Sequence, residues 1–189
     1  MLLCSYNRVM QHLGLLSFIL LVAGLGVIAV KLPGGLSKTF SQRVANNKVI
    51  ELLYSLLFLV ALPILYLFFA VWFVPSLNVP QYFLVFAAIA VIFQILCTWI
   101  PERGGRITTI HRILTSISGI ALLPMIFMIA TTQSILASLM IISWIALIGM
   151  LVLLTIALLN QRGFRYALLL QVGYYALFFA VILLATYVQ

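Results

Sequence analysis

The chain contains no aspartate, and its only acids are Glu51 and Glu102 among 189 residues. That removes the aspartate pair of aspartyl proteases and the carboxylate sets that most metal-dependent phosphoryl transfer relies on. Histidine is as scarce, with His12 and His111 alone. The two cysteines, Cys4 and Cys97, supply neither a disulfide framework nor a thiolate metal set. No Gly-x-Ser-x-Gly elbow and no His-Glu-x-x-His motif occurs. Glu51, Glu102, His12, His111, Cys97 and hydroxyl groups are all that catalysis would have to draw on. No catalytic residue, metal ligand or cofactor is therefore assigned.

Charge of either sign is also sparse, at 6% of the chain, while 66% is hydrophobic. Soluble domains carry roughly a quarter charged residues. A water-soluble fold needs a charged exterior, and there is nothing here to build one from. The solvent for most of the chain must be lipid. The net charge of +8 does not point to nucleic acid, because the bases sit in short connections between apolar runs. That placement is how membrane proteins mark their cytoplasmic side.

What remains is a series of apolar runs. About 20 such residues in a helix cross a bilayer core. The pattern predicts spans over about 10–32, 49–73, 81–99, 108–130, 135–159 and 166–187, an all-α, polytopic six-helix bundle with no separate soluble domain. The first run, Leu13 to Val30, is long for a signal peptide and is followed by bases, so it is taken as a span. Pro33, Gly34 and Gly35 break the chain after it. Pro63 marks a kink site in the second span, and Val74 to Pro80 forms the uncharged link after it.

The connections after spans one, three and five hold four, three and two bases, counting Arg112 with the second of these, while the opposite side holds Arg8 alone. This places the three basic loops in the cytoplasm and both termini outside, in the plasma membrane. Trp72, Tyr82 and Tyr187 then serve as outer interface anchors, and Trp99 and Tyr166 as inner ones. His12 falls at the outer level and His111 at the inner. They stand on the order of 20–30 Å apart, too far for one haem to bridge.

Polar residues within spans fall at helical spacing. Span two has Asn47, Glu51, Tyr54 and Ser55; span three has Gln94, Cys97 and Thr98; span four has Thr108, His111, Thr115 and Ser118; span six has Gln171, Tyr174 and Tyr175. All lie in the predicted cytoplasmic half. Such stripes either pack helices together or line a cavity. For the second case the candidate binding residues are Glu51, Gln94, Thr98, Glu102, His111, Thr115 and Gln171. Glu51 needs a partner among Lys48, His111 and Arg112, since an unpaired carboxylate there is costly. A Glu51–His111 pair would titrate near physiological pH. Glu102 has Arg103 and Arg106 beside it. Arg103-Gly-Gly-Arg106 and Arg162-Gly-Phe-Arg165 share a short Arg-Gly-x-Arg pattern. It either suits tight cytoplasmic turns or, through Arg103, Arg106, Arg162 and Arg165, holds a lipid phosphate.

Trp99-Ile-Pro-Glu102 at the end of span three, followed by His111 at the head of span four, resembles the six-span family called domain of unknown function 998. Lys31-Leu-Pro-Gly-Gly-Leu-Ser37 is similar to that family's Pro-Gly-x-Ser region. The family pattern more often has Phe before the proline and Asp after it, where this chain has Ile100 and Glu102. The resemblance implies that Pro101, Glu102 and His111 belong to one site, and nothing about the chemistry. The expectation from the residues is a membrane protein that binds or moves a small molecule or lipid through a cytoplasm-facing polar cavity. A non-catalytic membrane subunit and an intramembrane lipid-modifying enzyme are the alternatives.

Overall fold

A computed structural model describes the backbone of residues 2–159 and 165–188, and side chains from Met10 onward. The described residues form helices and connections, with no strand among them. The helices are α1 (Leu2–Lys31), α2 (Phe40–Val44), α3 (Lys48–Leu77), α4 (Tyr82–Thr98), α5 (Gly105–Thr131), α6 (Ala137–Leu159) and α7 (Ala167–Tyr187). By length and composition, Met10–Lys31 of α1 and all of α3, α5, α6 and α7 can cross a membrane. Helix α4 is equally apolar but has 17 residues. Outward-facing positions such as Val30, Val49, Ile145 and Leu159 are Val, Ile and Leu, as in the core. An exterior with the composition of an interior is what lipid solvent selects. The chain is a multi-pass membrane protein.

Each long helix packs on the next in the chain, and α7 returns to α1. Short connections make these neighbours antiparallel. One end of the bundle therefore gathers Lys31, Lys38, Lys48, Arg103, Arg106 and Arg165 (the basic end). The other end carries uncharged links (the neutral end). Hydroxyl groups join the helices by donating to backbone carbonyls of their neighbours. Ser17 donates to Ala61 O at 2.8 Å, Ser55 to Thr98 O at 2.9 Å, Ser118 to Ala90 O at 3.0 Å and Tyr174 to Gly119 O at 2.6 Å. A helical carbonyl keeps a second lone pair, so each bond is made without breaking the ladder. Such bonds contribute about 0.6–2 kcal/mol apiece in membranes.

Helix α3 outruns its predicted end. Its α-helical part, Lys48–Phe68, passes through a π turn at Phe69–Phe73 into a last α turn, Val74–Leu77. The widened turn directly before Pro75 makes room where that ring would meet the preceding turn. Asn78, at φ 51° and ψ 34°, then ends the helix in the left-handed region. The extension carries Trp72 inward. Instead of anchoring an interface it is buried, stacked on Phe68 with ring centres 5.6 Å apart. Tyr82, Trp99, Tyr166 and Tyr187 are exposed.

At the basic end, the connection after α1 wraps one buried side chain, Arg43 of α2. Its guanidinium donates to Ala29 O at 3.0 Å, Leu32 O at 2.8 Å, Lys38 O at 3.3 Å and Gly35 O. Two of these are carbonyls at the end of α1, which lack partners within the helix. Gly35 accepts the tight wrap at φ 54°, a backbone state that costs glycine little. Helix α2 itself begins with a capping box: Thr39 Oγ1 accepts from Gln42 N, and Gln42 Oε1 accepts from Thr39 N. Replacing Arg43 by Met should lower stability by about 3–5 kcal/mol, because four carbonyls lose a charged donor. Arg43→Lys should recover only part of it, since an ammonium lacks the planar fork. Thermal unfolding in detergent measures both, and a loss under about 1 kcal/mol for Arg43→Met would remove this residue's organising role.

Candidate functional site

Two cavities open inside the ring of helices. The larger, about 560 Å³, lies in the bundle interior and is lined almost wholly by apolar side chains of α1, α3, α4, α5 and α7, with Phe40 of α2. The smaller, about 290 Å³, lies toward the basic end. Its walls include Ser37, Thr39, Ser41 and Gln42 around the start of α2, with Glu102, His111, Arg112, Thr115 and Tyr174. Gln94, Gln171 and Tyr175 line both. These three residues stand at the junction of the two cavities, with the oily chamber on one side and the chamber of mixed lining on the other.

The junction is held by hydrogen bonds across helices. Tyr175 donates to Gln94 Oε1 at 3.0 Å. The Ser118 hydroxyl stands 3.3 Å from the same oxygen and 3.0 Å from Ala90 O, so its single proton serves one at a time. Gln171 Oε1 accepts from Phe40 N at 3.4 Å, and Leu168 N donates to Leu36 O at 3.0 Å. The segment around α2 is thereby tied to the start of α7. The same segment reaches the α4–α5 connection: Glu102 N donates to Ser41 Oγ at 3.2 Å, and Arg103 Nε to Ala45 O at 3.1 Å.

Five of the seven residues expected to bind a ligand, Gln94, Glu102, His111, Thr115 and Gln171, surround this hollow. Glu51 and Thr98 do not line it. Glu51 pairs with Arg103 near the surface, and not with His111, Arg112 or Lys48. Thr98 is buried between helices, with its hydroxyl on Ile95 O at 2.7 Å. The expected Glu51–His111 titrating pair is absent because His111 is committed elsewhere. Its Nδ1 lies 2.6 Å from Ile100 O and 3.0 Å from Cys97 O. Carbonyl oxygens only accept, so Nδ1 carries the proton. His111 thus fastens the end of α4 to the start of α5. Glu102 pairs with Arg112, not with Arg103 or Arg106: Nε at 2.9 Å and Nη2 at 2.7 Å share Oε1.

The basic turn has a conformational reason for its glycines. Gly104 and Gly105 sit at φ 104° and 59°, where other residues are strained. Gly104 N donates to Thr108 Oγ1 at 2.7 Å, which satisfies one amide at the start of α5. Arg106 is exposed, and the Arg165 guanidinium lies 5.9 Å from the Tyr166 ring centre. Arg162 lies outside the described residues. Arg103 is engaged by Glu51 and Ala45.

One seam of the ring is incomplete. Helices α1 and α7 are clasped at the neutral end, where Gln11 Nε2 donates to Thr186 O at 2.8 Å and His12 Nδ1 lies 3.0 Å from Tyr187 Oη. Phe18 and Phe179 touch below them, with ring centres 5.2 Å apart. Deeper in, chamber-lining residues Val22 and Gly26 of α1 and Val172, Ala176 and Ala180 of α7 are exposed outward as well. The oily chamber therefore has a window onto the bundle's outer surface, bounded beyond by the segment around α2.

Sequence reasoning missed α2 and the part played by Arg43, and it placed Tyr175 on the polar stripe of span six without counting it among the candidate binding residues. The signal for α2 was present, since Thr39-Phe-Ser-Gln42 fits the capping-box spacing. The two ion pairs should differ in weight. The Glu102 side chain is 7% exposed and that of Glu51 17%. Arg112→Ala should destabilise the fold by about 1–2 kcal/mol, between exposed and buried pairs, and Arg103→Ala by under about 1 kcal/mol. Unfolding of each single variant against the charge-free double variants checks the order, and a reversed ranking contradicts it. Comparison with family models, with curated proteins and with solved structures finds no match to this chain.

Proposed function

We propose that this protein spans the plasma membrane six times and binds or moves an amphiphile, a lipid or lipid-like small molecule, in the two-chambered hollow. The observation that carries the reading is the junction at Gln94, Gln171 and Tyr175. These residues line both an apolar space of about 560 Å³ and a mixed one of about 290 Å³, in which polar side chains face Leu153, Leu154 and Leu158 of α6. A molecule that fills both needs an oily part and a hydrogen-bonding part. Either part alone would leave one chamber unmatched. The window between α1 and α7 supports the same reading, because it faces the medium in which such molecules dissolve.

Six crossings require α4 to count as a span. Its 17 residues rise about 26 Å, slightly less than a ~30 Å hydrocarbon core. A local thinning of the bilayer accommodates that difference at small cost. The charge bias puts the basic end in the cytoplasm and both termini outside. In a background lacking Cys4 and Cys97, a cysteine at Ser37 should react with an impermeant thiol reagent only in inverted vesicles. A cysteine at Gln133 should react only in intact cells. The opposite pattern would reverse the sidedness.

The binding reading is tested at the window. Ala176→Phe puts a ring into an exposed wall without disturbing a buried contact. It should cut photo-crosslinking of a diazirine-bearing single-chain lipid at least fivefold, with the unfolding temperature held within a few degrees. Unchanged crosslinking, or crosslinks confined to outward-facing residues, would count against the hollow as the binding site.

A further inference from the structure

We infer that the occupant is a single-tailed lipid with a small uncharged, hydroxyl-bearing head, and not a phospholipid. The inference rests on the amphiphile reading above and adds the class of head. Among the described residues, the fixed charges lining the polar chamber are Glu102 and Arg112, and they cancel in one ion pair. Both guanidinium contacts go to Glu102 Oε1. An anionic head could reach only the remaining N–H groups of Arg112, whose side chain is 40% exposed, and would lie beside the Glu102 carboxylate that already neutralises it. Like-charge repulsion from Glu102 opposes this. The nearby bases Lys38, Arg103 and Arg106 do not line the chamber: Arg103 is held by Glu51, and Lys38 and Arg106 are exposed at the surface.

The chamber offers neutral hydrogen-bonding groups. Gln94, Gln171, Thr115, Ser116, Tyr175 and Ser37 line it, the protons of Tyr175, Thr115 and Ser37 being held by Gln94 Oε1, His111 O and Gly34 O. The amides and Ser116 can donate and the engaged hydroxyls still accept, which is what a vicinal diol or similar head requires. At about 290 Å³ the space is at the low end for ligand pockets, which suits a head of glycerol size. His111 adds no donor from Nδ1, whose proton is engaged by backbone carbonyls. The oily chamber of about 560 Å³ that shares these residues takes the tail.

The test uses the full chain in detergent, with native mass spectrometry and thermal-shift titration against three probes of equal chain length. These are a monoacylglycerol, a lysophosphatidic acid and a lysophosphatidylcholine. The monoacylglycerol should bind at least about tenfold more tightly than either phospholipid, the weight of one or two neutral hydrogen bonds plus an avoided charge mismatch. Tyr175→Phe should weaken monoacylglycerol binding by about five- to tenfold and leave lysophosphatidic acid unchanged. Glu102→Gln frees Arg112 and should shift the preference toward lysophosphatidic acid by about tenfold or more. Equal or tighter binding of a phospholipid by the unaltered chain would overturn the head class and leave the amphiphile reading standing. Binding of none of the three, or uptake of all three that never saturates, would end both. Should Glu102→Gln fail to fold, the probe ranking and Tyr175→Phe still decide the matter.

Discussion

The Arg43 guanidinium is the interaction on which the basic end depends. Within a membrane protein every backbone carbonyl must find a donor or water. The carbonyls that end α1 find theirs in a side chain 11 to 14 residues further on. By gathering these and two loop carbonyls on one cation, the chain folds its longest basic connection back under the bundle. This fixes α2 in place, and α2 then presents Phe40 to the oily chamber and Ser41 to the α4–α5 connection. A single cation thus sets the floor of a hollow to which its own side chain contributes nothing directly.

Much of the fold was legible in the sequence because lipid permits so few backbone solutions. Uncharged runs of about 20 residues had to be helices, and the glycine pairs Gly34-Gly35 and Gly104-Gly105 marked the connections between them. Boundaries failed where a proline misled. Pro75 reads as a terminator, yet the π turn before it lets α3 continue to Leu77. Trp72 therefore sits about 7 Å deeper than an interface anchor should, by the rise of a helix.

The site was legible only in part, for a different reason. Helical spacing showed that Gln94, His111, Thr115 and Gln171 share one end of the bundle, and the structure gathers them. It could not show which base reaches which acid. Arginine side chains are long, and the Glu51–Arg103 pair spans connections whose mutual placement is set by α2. Nor could spacing reveal that His111 points its proton at the carbonyls of Cys97 and Ile100, a choice made by how α4 ends. Periodicity reports faces of helices. Partners depend on which helices become neighbours.

The opening between α1 and α7 is framed at both poles. From Val22 to Ala29 the slot runs about 10 Å along α1, by the rise of a helix. One leaflet of hydrocarbon is about 15 Å deep. A hydrocarbon chain standing upright among its neighbours cannot slide through such a slot along its length. It must tip over and pass crosswise, giving up its alignment with the leaflet. If the proposed amphiphile enters here, chains already bent by unsaturation would surrender less order in doing so, and the slot's short height would act as a filter on tail shape.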